Sequence, residues 1–264
     1  RYPTPRKTEI STDYADIGEA DLIPREDVVI SMTHLGYVKR LSVKDCRAQR
    51  RGGKGVTAHK PKDEDFVENM FVSSTHDDLL FFSSLGKVYK LKGYEVPEAQ
   101  KAARGRAIVN LIQVDNGERI TAVIPRKERI AETAAENVEE TTEAVETEAT
   151  EVNETCEEGF VMMATKFGLI KKTPMSQFDS IRKGGKIAIS LLPGDELISV
   201  QFTSGDDEIL IGSHDGKCIR FSEKDVRATG RDTQGVIMMR IEDANRVIAV
   251  QRTEASEDEE QTAE

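Results

Sequence analysis

The sequence predicts an all-β, bladed fold, and three observations carry that expectation. Four segments repeat one plan: DVVISMTHLGYVKRL (27–41), DDLLFFSSLGKVYKL (77–91), GFVMMATKFGLIKKT (159–173) and DEILIGSHDGKCIRF (207–221). Each is an apolar run, a polar turn ending in Gly36, Gly86, Gly168 or Gly216, and a second run with bases towards its end. Self-similarity at a period of this kind marks repeat architectures. The runs are short, rich in Val, Ile, Leu and Phe, and bounded by Gly, Asp or Ser, as hairpin strands are. A further strand follows in each unit, as in ITAVI (120–124), ELISVQF (196–202) and RVIAVQ (246–251). About 50 residues with four strands' worth of pattern is the size of a propeller-type blade. Helical periodicity is weak throughout.

In chain order, residues 1–24 hold three prolines, mixed charge and little periodicity, and read as a linker. The chain opens without an initiator Met, so a segment upstream is expected. Residues 25–250 carry the repeats, with blades expected near 25–70, 71–124, 125–200 and 201–250. In the first repeat Val28, Ile30 and Met32 are expected on one face of a strand, opposite Val29, Ser31 and Thr33. The turn glycines are spaced by 50, 82 and 48 residues, so the third unit carries an insertion. That insertion is 131–158, and 251–264 reads as an acidic tail.

Charge divides along the same lines. The net charge of −11 taken whole argues against a polyanionic partner. Its distribution points the other way. Residues 131–158 hold eleven acids and no base, and 251–264 hold six acids against Arg252, which leaves +5 for everything else. Both acidic stretches are poor in aromatics and are expected to be disordered. Three widely spaced cysteines, Cys46, Cys156 and Cys218, imply no disulfide framework, and a reducing cytoplasm fits them. The four histidines show no zinc-ligand spacing, and no apolar run approaches the roughly 20 residues that span a bilayer, so no metal, cofactor or membrane is implied.

The stretch with the most chemistry is Gln49-Arg50-Arg51-Gly52-Gly53-Lys54-Gly55. Glycines allow positive φ and close backbone approach, and successive N–H groups in such turns form anion-binding concavities. Arg adds a planar fork of donors for phosphate and Lys a compact charge. Later repeats carry related loops at the corresponding place: Lys101-Ala102-Ala103-Arg104-Gly105-Arg106, Arg182-Lys183-Gly184-Gly185-Lys186 and Arg227-Ala228-Thr229-Gly230-Arg231. Equivalent loops in a ring of blades lie on its rim. Their cations, Lys101, Arg104, Arg106, Arg182, Lys183, Lys186, Arg227 and Arg231, would then form a belt suited to a bent duplex. The bland alternative is a set of solvated charged turns.

The string QRRGGKG, preceded by LIPREDVVISMTHLGYVKRL, resembles the GyrA box and flanks of the C-terminal domain of the bacterial DNA gyrase A subunit. The resemblance spans nearly all of 7–251, including Arg6–Ile10 and the GRxTQGV-like Gly230–Val236. It implies a β-pinwheel, a propeller-like ring whose blades exchange strands. It also implies wrapping of double-stranded DNA in support of negative supercoiling on the chromosome. The protein partners it implies are the rest of the gyrase A subunit, plus the gyrase B subunit. Domains of that family usually have six blades, so four repeats suggest an internal loss of about two. The acidic insertion is a further departure.

No catalytic group stands out. GGKGVT (52–57) lacks the first Gly and the Ser/Thr of a phosphate-binding Walker loop. Tyr37 and Tyr89 sit in blade patterns and read as packing residues. Other readings are a bladed protein-interaction module, a topoisomerase IV-like domain that bends DNA without full wrapping, and a regulator that no longer wraps.

Overall fold

The computed structural model describes residues 19–46, 51, 59, 64–115, 117–128, 159–241 and 245–253. The acidic insertion, most of the linker and the tail beyond Thr253 lie outside them. Fifteen strands follow in order among the described residues. The first unit gives β1 (Asp27–Thr33), β2 (Tyr37–Ser42) and β3 (Val67–Ser74). The second gives β4 (Asp78–Ser83), β5 (Lys87–Lys92), β6 (Arg106–Ala107) and β7 (Ile120–Arg126). The third gives β8 (Phe160–Thr165), β9 (Leu169–Pro174), β10 (Lys186–Ile187) and β11 (Leu197–Thr203), and the fourth β12 (Glu208–Ser213), β13 (Cys218–Ser222), β14 (Val236–Ile237) and β15 (Val247–Thr253).

The four repeated segments are antiparallel hairpins, β1–β2, β4–β5, β8–β9 and β12–β13. Each turn closes by a Gly N–H donating to the carbonyl three residues back, from Gly36 to Thr33, Gly86 to Ser83, Gly168 to Thr165 and Gly216 to Ser213. All four glycines have φ between +74° and +83°. That conformation is strained for residues with a Cβ, which is why the repeat punctuates itself with glycine.

Sheet order shows how the repeats interlock. The sheets run β3-β1-β2-β6, β10-β5-β4-β7, β11-β8-β9-β14 and β13-β12-β15. The two-residue strand of each later repeat is thus donated to the sheet before it. Arg106 pairs with Val38, Lys186 with Val88 and Val236 with Ile170. The fold is an all-β, four-bladed β-pinwheel with strand exchange between neighbours. Among the described residues no strand covers the outer edge of β13.

Alternation along each central strand feeds two cores. Leu79 and Phe81 pack with Val28, Ile30 and Met32 of the first blade, while Leu80 and Phe82 pack with Val161 and Met163 of the third. Met162 and Ala164 turn the other way, onto Ile209 and Ile211. Blades therefore stack face to face, and a strand in the middle of the stack is buried on both sides. In the first blade the face opposite Val28, Ile30 and Met32 also holds buried side chains, and these are polar. Ser31 and Thr33 are buried as fully as Ile30 and Met32, with Ser31 Oγ 2.9 Å from His59 Nδ1. A period-2 pattern marks two faces but does not say that the polar one is wet.

Both ends of the repeat region extend further than composition suggests. Residues 19–22 form a 3-10 turn, and the carbonyls of Ala20 and Pro24 accept hydrogen bonds from His76 Nε2 and Thr75 Oγ1. At the other end β15 takes in 251–253, which composition alone groups with the tail. Arg252 is held there by Asp207 at 3.2 Å and by the Phe202 carbonyl at 3.1 Å.

Candidate nucleic-acid interface

The last strands of successive units, β3, β7, β11 and β15, touch one another in turn, so the sheets converge on that side. The donated strands and the loops leading into them occupy the opposite edge. Here the sequence's basic loops are brought to equivalent places, each laid over the preceding blade. The loop at 101–106 lies on the edge of β2, the loop at 182–186 on β5 and the loop at 227–235 on β9.

Within these loops Arg104, Arg106, Arg182, Lys183 and Arg227 are exposed, and Lys101, Lys186 and Arg231 are half-buried. Their partners are weak or use only part of the cation. Arg104 lies 5.8 Å from the centre of the Tyr37 ring. Lys183 approaches Glu95 at 3.5 Å while its side chain stays 81% exposed. Arg231 reaches the Ile187 carbonyl at 3.3 Å. Such exposed contacts are worth little, so these cations are available to a stronger anion. Three successive stations of solvent-facing guanidinium and ammonium groups suit a polymer of phosphates better than one small ligand. Of the box at 49–55, Arg51 is described and is exposed; Gln49, Arg50, Gly52, Gly53, Lys54 and Gly55 lie outside the described residues.

What holds the loops in place was not legible in their own sequence. Lys39 and Lys171 are each 1% exposed. Lys39 Nζ donates to the carbonyls of Gln100, Lys101 and Ala103 at 2.9, 2.7 and 3.0 Å. Lys171 Nζ donates to the Ala188 carbonyl at 2.8 Å, the Thr233 carbonyl at 3.2 Å and the Arg231 carbonyl. Burial lowers the affinity of both ammonium groups for their protons. For Lys171 the pKa falls to about 8, desolvation outweighing the help of Asp232, while Arg231 adds to the depression. In the second blade the same position holds Tyr89, buried, whose hydroxyl donates to Glu118 at 2.8 Å. The signal available in the sequence was a residue three places after each turn glycine, which reads Lys39, Tyr89, Lys171 and Ile219.

The donated strands need glycine at their entry. A Cβ on Gly105 would stand 2.5 Å from the Val38 carbonyl oxygen, and one on Gly235 would stand 2.6 Å from that of Ile170. On Gly185 it would meet the Tyr89 ring at 2.6 Å. Tyr89 is packed in the core, Tyr37 is half-buried beside Arg104, and Cys46 and Cys218 are free and exposed. Among the described residues no cluster of His, Cys, Asp or Glu could hold a metal, and no helix is long and apolar enough to cross a membrane.

Fold and site together define a strand-exchanged, four-bladed domain with a cation-bearing rim. The chain belongs to the family described as "DNA gyrase C-terminal domain, beta-propeller", whose model matches residues 27–74, 77–127, 159–204 and 207–254, one match for each blade. It is 44% identical over 245 residues to the A subunit of DNA gyrase from Escherichia coli strain K12, covering 93% of this chain and 25% of that protein. To the A subunit of DNA gyrase from Clostridium acetobutylicum it is 44% identical over 236 residues, covering 89% and 25%. The chain thus spans about a quarter of the length of these relatives. Among solved structures, a DNA gyrase A C-terminal domain matches with a TM-score of 0.58 and 25% identity, over 86% of this chain and 65% of that one. The C-terminal domain of a DNA topoisomerase IV has the same fold, with a TM-score of 0.65 and 24% identity over 88% and 63%.

Proposed function

We propose that this domain binds double-stranded DNA along its basic rim and bends it, with little dependence on sequence, as the C-terminal domain of a gyrase A subunit. The observation that supports this most directly is the repetition of one station. Donated loops on three successive blades each present cations to solvent at the same place relative to the sheet below. A duplex following the rim would meet Arg104 and Arg106, then Arg182, Lys183 and Lys186, then Arg227 and Arg231, with Lys101 behind the first group. By their place in the sequence, the box residues Gln49 to Gly55 correspond to these loops in the first repeat and would extend the path. In this reading the domain supports ATP-dependent negative supercoiling by a cytoplasmic, chromosome-associated enzyme. That enzyme is completed by the rest of the gyrase A subunit, plus the gyrase B subunit. The domain contributes DNA geometry, and cutting and ATP hydrolysis belong elsewhere in that assembly.

The test uses a long duplex labelled at its ends. Binding of the purified chain should shorten the end-to-end distance, and affinity should fall steeply with salt. Replacing Arg50, Arg51 and Lys54 together with Ala should flatten the slope of log K against log[salt] by roughly 2.7, at about 0.9 per phosphate contact. Preference among sequences should hardly move, because phosphate contacts position without specifying. Salt-dependent binding without shortening would reduce the role to DNA binding, and binding indifferent to salt would favour a protein-interaction module instead.

A further inference from the structure

We propose that Lys39 and Lys171 are positioning residues for the rim: each is a buried ammonium that gathers carbonyls of the next repeat's loop and thereby sets where that loop's cations stand. This rests on the reading of the rim as the DNA-binding surface.

The geometry is similar at two separate blades, with the difference that one carbonyl around Lys171, that of Ala188, comes from its own repeat. Both lysines lie three residues after a turn glycine, and both side chains are withdrawn from solvent beneath a donated loop. An ammonium has three N–H donors and no acceptor. At both sites the three donors meet carbonyls: Gln100, Lys101 and Ala103 above Lys39, and Ala188, Arg231 and Thr233 above Lys171. Because the ammonium is buried, its loss would leave these carbonyls turned towards a space shut off from water. A buried polar group that loses its partner costs far more than an exposed one.

Turning carbonyls inward has a consequence for the other face of the loop. Around Lys39 the carbonyls of Lys101 and Ala103 point in, while Arg104 and Arg106 remain exposed. Around Lys171 the carbonyl of Arg231 points in, and Arg227 is exposed. The seat therefore acts on the loop's shape and leaves the anion-binding side chains to solvent. It also puts a fixed positive charge under the rim, close to the backbone that a phosphate would approach.

Tyr89 shows that the seat is matched to its loop. Its loop, Arg182–Lys186, lays Gly185 against the ring, where a Cβ would collide, so a flat aromatic surface replaces the gathered carbonyls. Ile219, half-buried at the same position of the fourth blade, belongs to β13, whose outer edge no described strand covers.

The experiment compares the wild-type chain with Lys171→Met and Lys39→Met, reading amide hydrogen exchange and DNA affinity across a salt series. Lys171→Met should speed exchange at Thr229 and Val236 by about tenfold, the loss of one charge-assisted hydrogen bond, and leave the β4–β5 hairpin as protected as before. DNA affinity should fall and the salt slope should flatten by roughly one to two, for the displaced Arg227 and Arg231. Lys171→Gln, which keeps two donors, should lie between. Should Lys171→Met fail to fold, Lys39→Met and Lys171→Gln decide the matter by the same readouts. Unchanged exchange in the loops would overturn the seat, whatever the DNA result. Faster exchange with unchanged affinity and slope would overturn its positioning role. If the wild-type chain itself binds DNA without salt dependence, the reading of the rim fails, and the exchange data still decide whether the lysines hold the loops.

Discussion

Lys172 Nζ lies 3.0 Å from Glu223 Oε1, with both side chains buried, and this ion pair ties the third blade to the fourth. The Lys172 ammonium also stands 4.1 Å from the centre of the Phe160 ring. Glu223 is fully satisfied, accepting from Thr203 Oγ1 at 2.7 Å and from the Gly205 N–H at 2.9 Å. Removing one partner leaves the other charge buried and alone. Lys172→Met should destabilise the domain by about 3–5 kcal/mol, and Glu223→Gln by a comparable amount, in urea unfolding. The double variant Lys172→Met/Glu223→Leu should lose much less than the sum, because it removes both buried charges. Additive losses would mean that the two groups do not act as a pair.

The donated strands give a second expectation. Gly105→Ala and Gly235→Ala each combine a positive φ, +83° and +98°, with a Cβ placed within 2.6 Å of a neighbouring carbonyl oxygen. Both should cost more than the roughly 1–2 kcal/mol of a left-handed residue alone. Gly117→Ala, with φ +83° and open space around it, should cost only that strain. Gly212→Ala, in strand β12 with nothing near its Cβ, should be neutral or gain up to about 1 kcal/mol. Thermal unfolding of the four variants checks the order.

The alkaline side of the stability curve should report Lys171. Its folded pKa of about 8 lies below the ordinary lysine value, so between pH 8 and about 10 the unfolded chain holds more protons at this site than the folded one. The cost of burying the charge is therefore fully present below pH 8 and is relieved as pH rises. Stability of the wild type relative to Lys171→Met should increase across that window, by up to about 1.4 kcal/mol per pH unit. Arg231 and Asp232 face the group, and Asp232→Asn should move the onset to lower pH by removing the anion that favours the charged form. Taking the difference from Lys171→Met cancels Tyr89, whose raised pKa would otherwise lower stability above pH 10. A flat difference between pH 8 and 10 would contradict the shift.

The acidic appendages give a fourth expectation. Polyanionic segments tethered to a domain with a basic rim would compete with DNA at an effective concentration in the millimolar range for short tethers. Deleting 254–264, which spares β15, or 131–158 should raise DNA affinity, most at low salt where screening is least. Equal affinities at low ionic strength would leave both segments as solubilising appendages.

The hairpins were legible because each ends at a glycine whose φ only glycine adopts easily, and because the apolar runs alternate with strand periodicity. The exchange of strands was legible only through family resemblance. Pairs such as Arg106 with Val38 attach donated strands of two residues, too short to carry a pattern of their own, to the longer strand before them. Period 2 separates the Val28, Ile30 and Met32 face from that of Ser31 and Thr33 without saying what covers the polar one; both polar residues are buried, and Ser31 meets His59 there. Lys39 and Lys171 escaped notice as structural residues because a base in a strand ordinarily marks the solvent side. Nothing in a single chain of letters shows that carbonyls some 60 residues ahead, three for Lys39 and two for Lys171, will converge on it. The box loop itself lies almost wholly outside the described residues, so its role stands on the sequence and on the experiment proposed for it.

Strand donation also bears on how such a domain can change length. Each internal repeat gives a short strand backwards and accepts one from ahead, so every joint in the row has the same form. Taking whole units from the middle joins a giver to a taker of the same shape, and no internal edge is left without a partner. Removing or adding a whole unit would then cost little local fit, like links taken from a chain. What changes is the arc of rim that the domain offers. Were a polymer to follow that rim, the count of repeats would set how much of it is held, independently of any single contact.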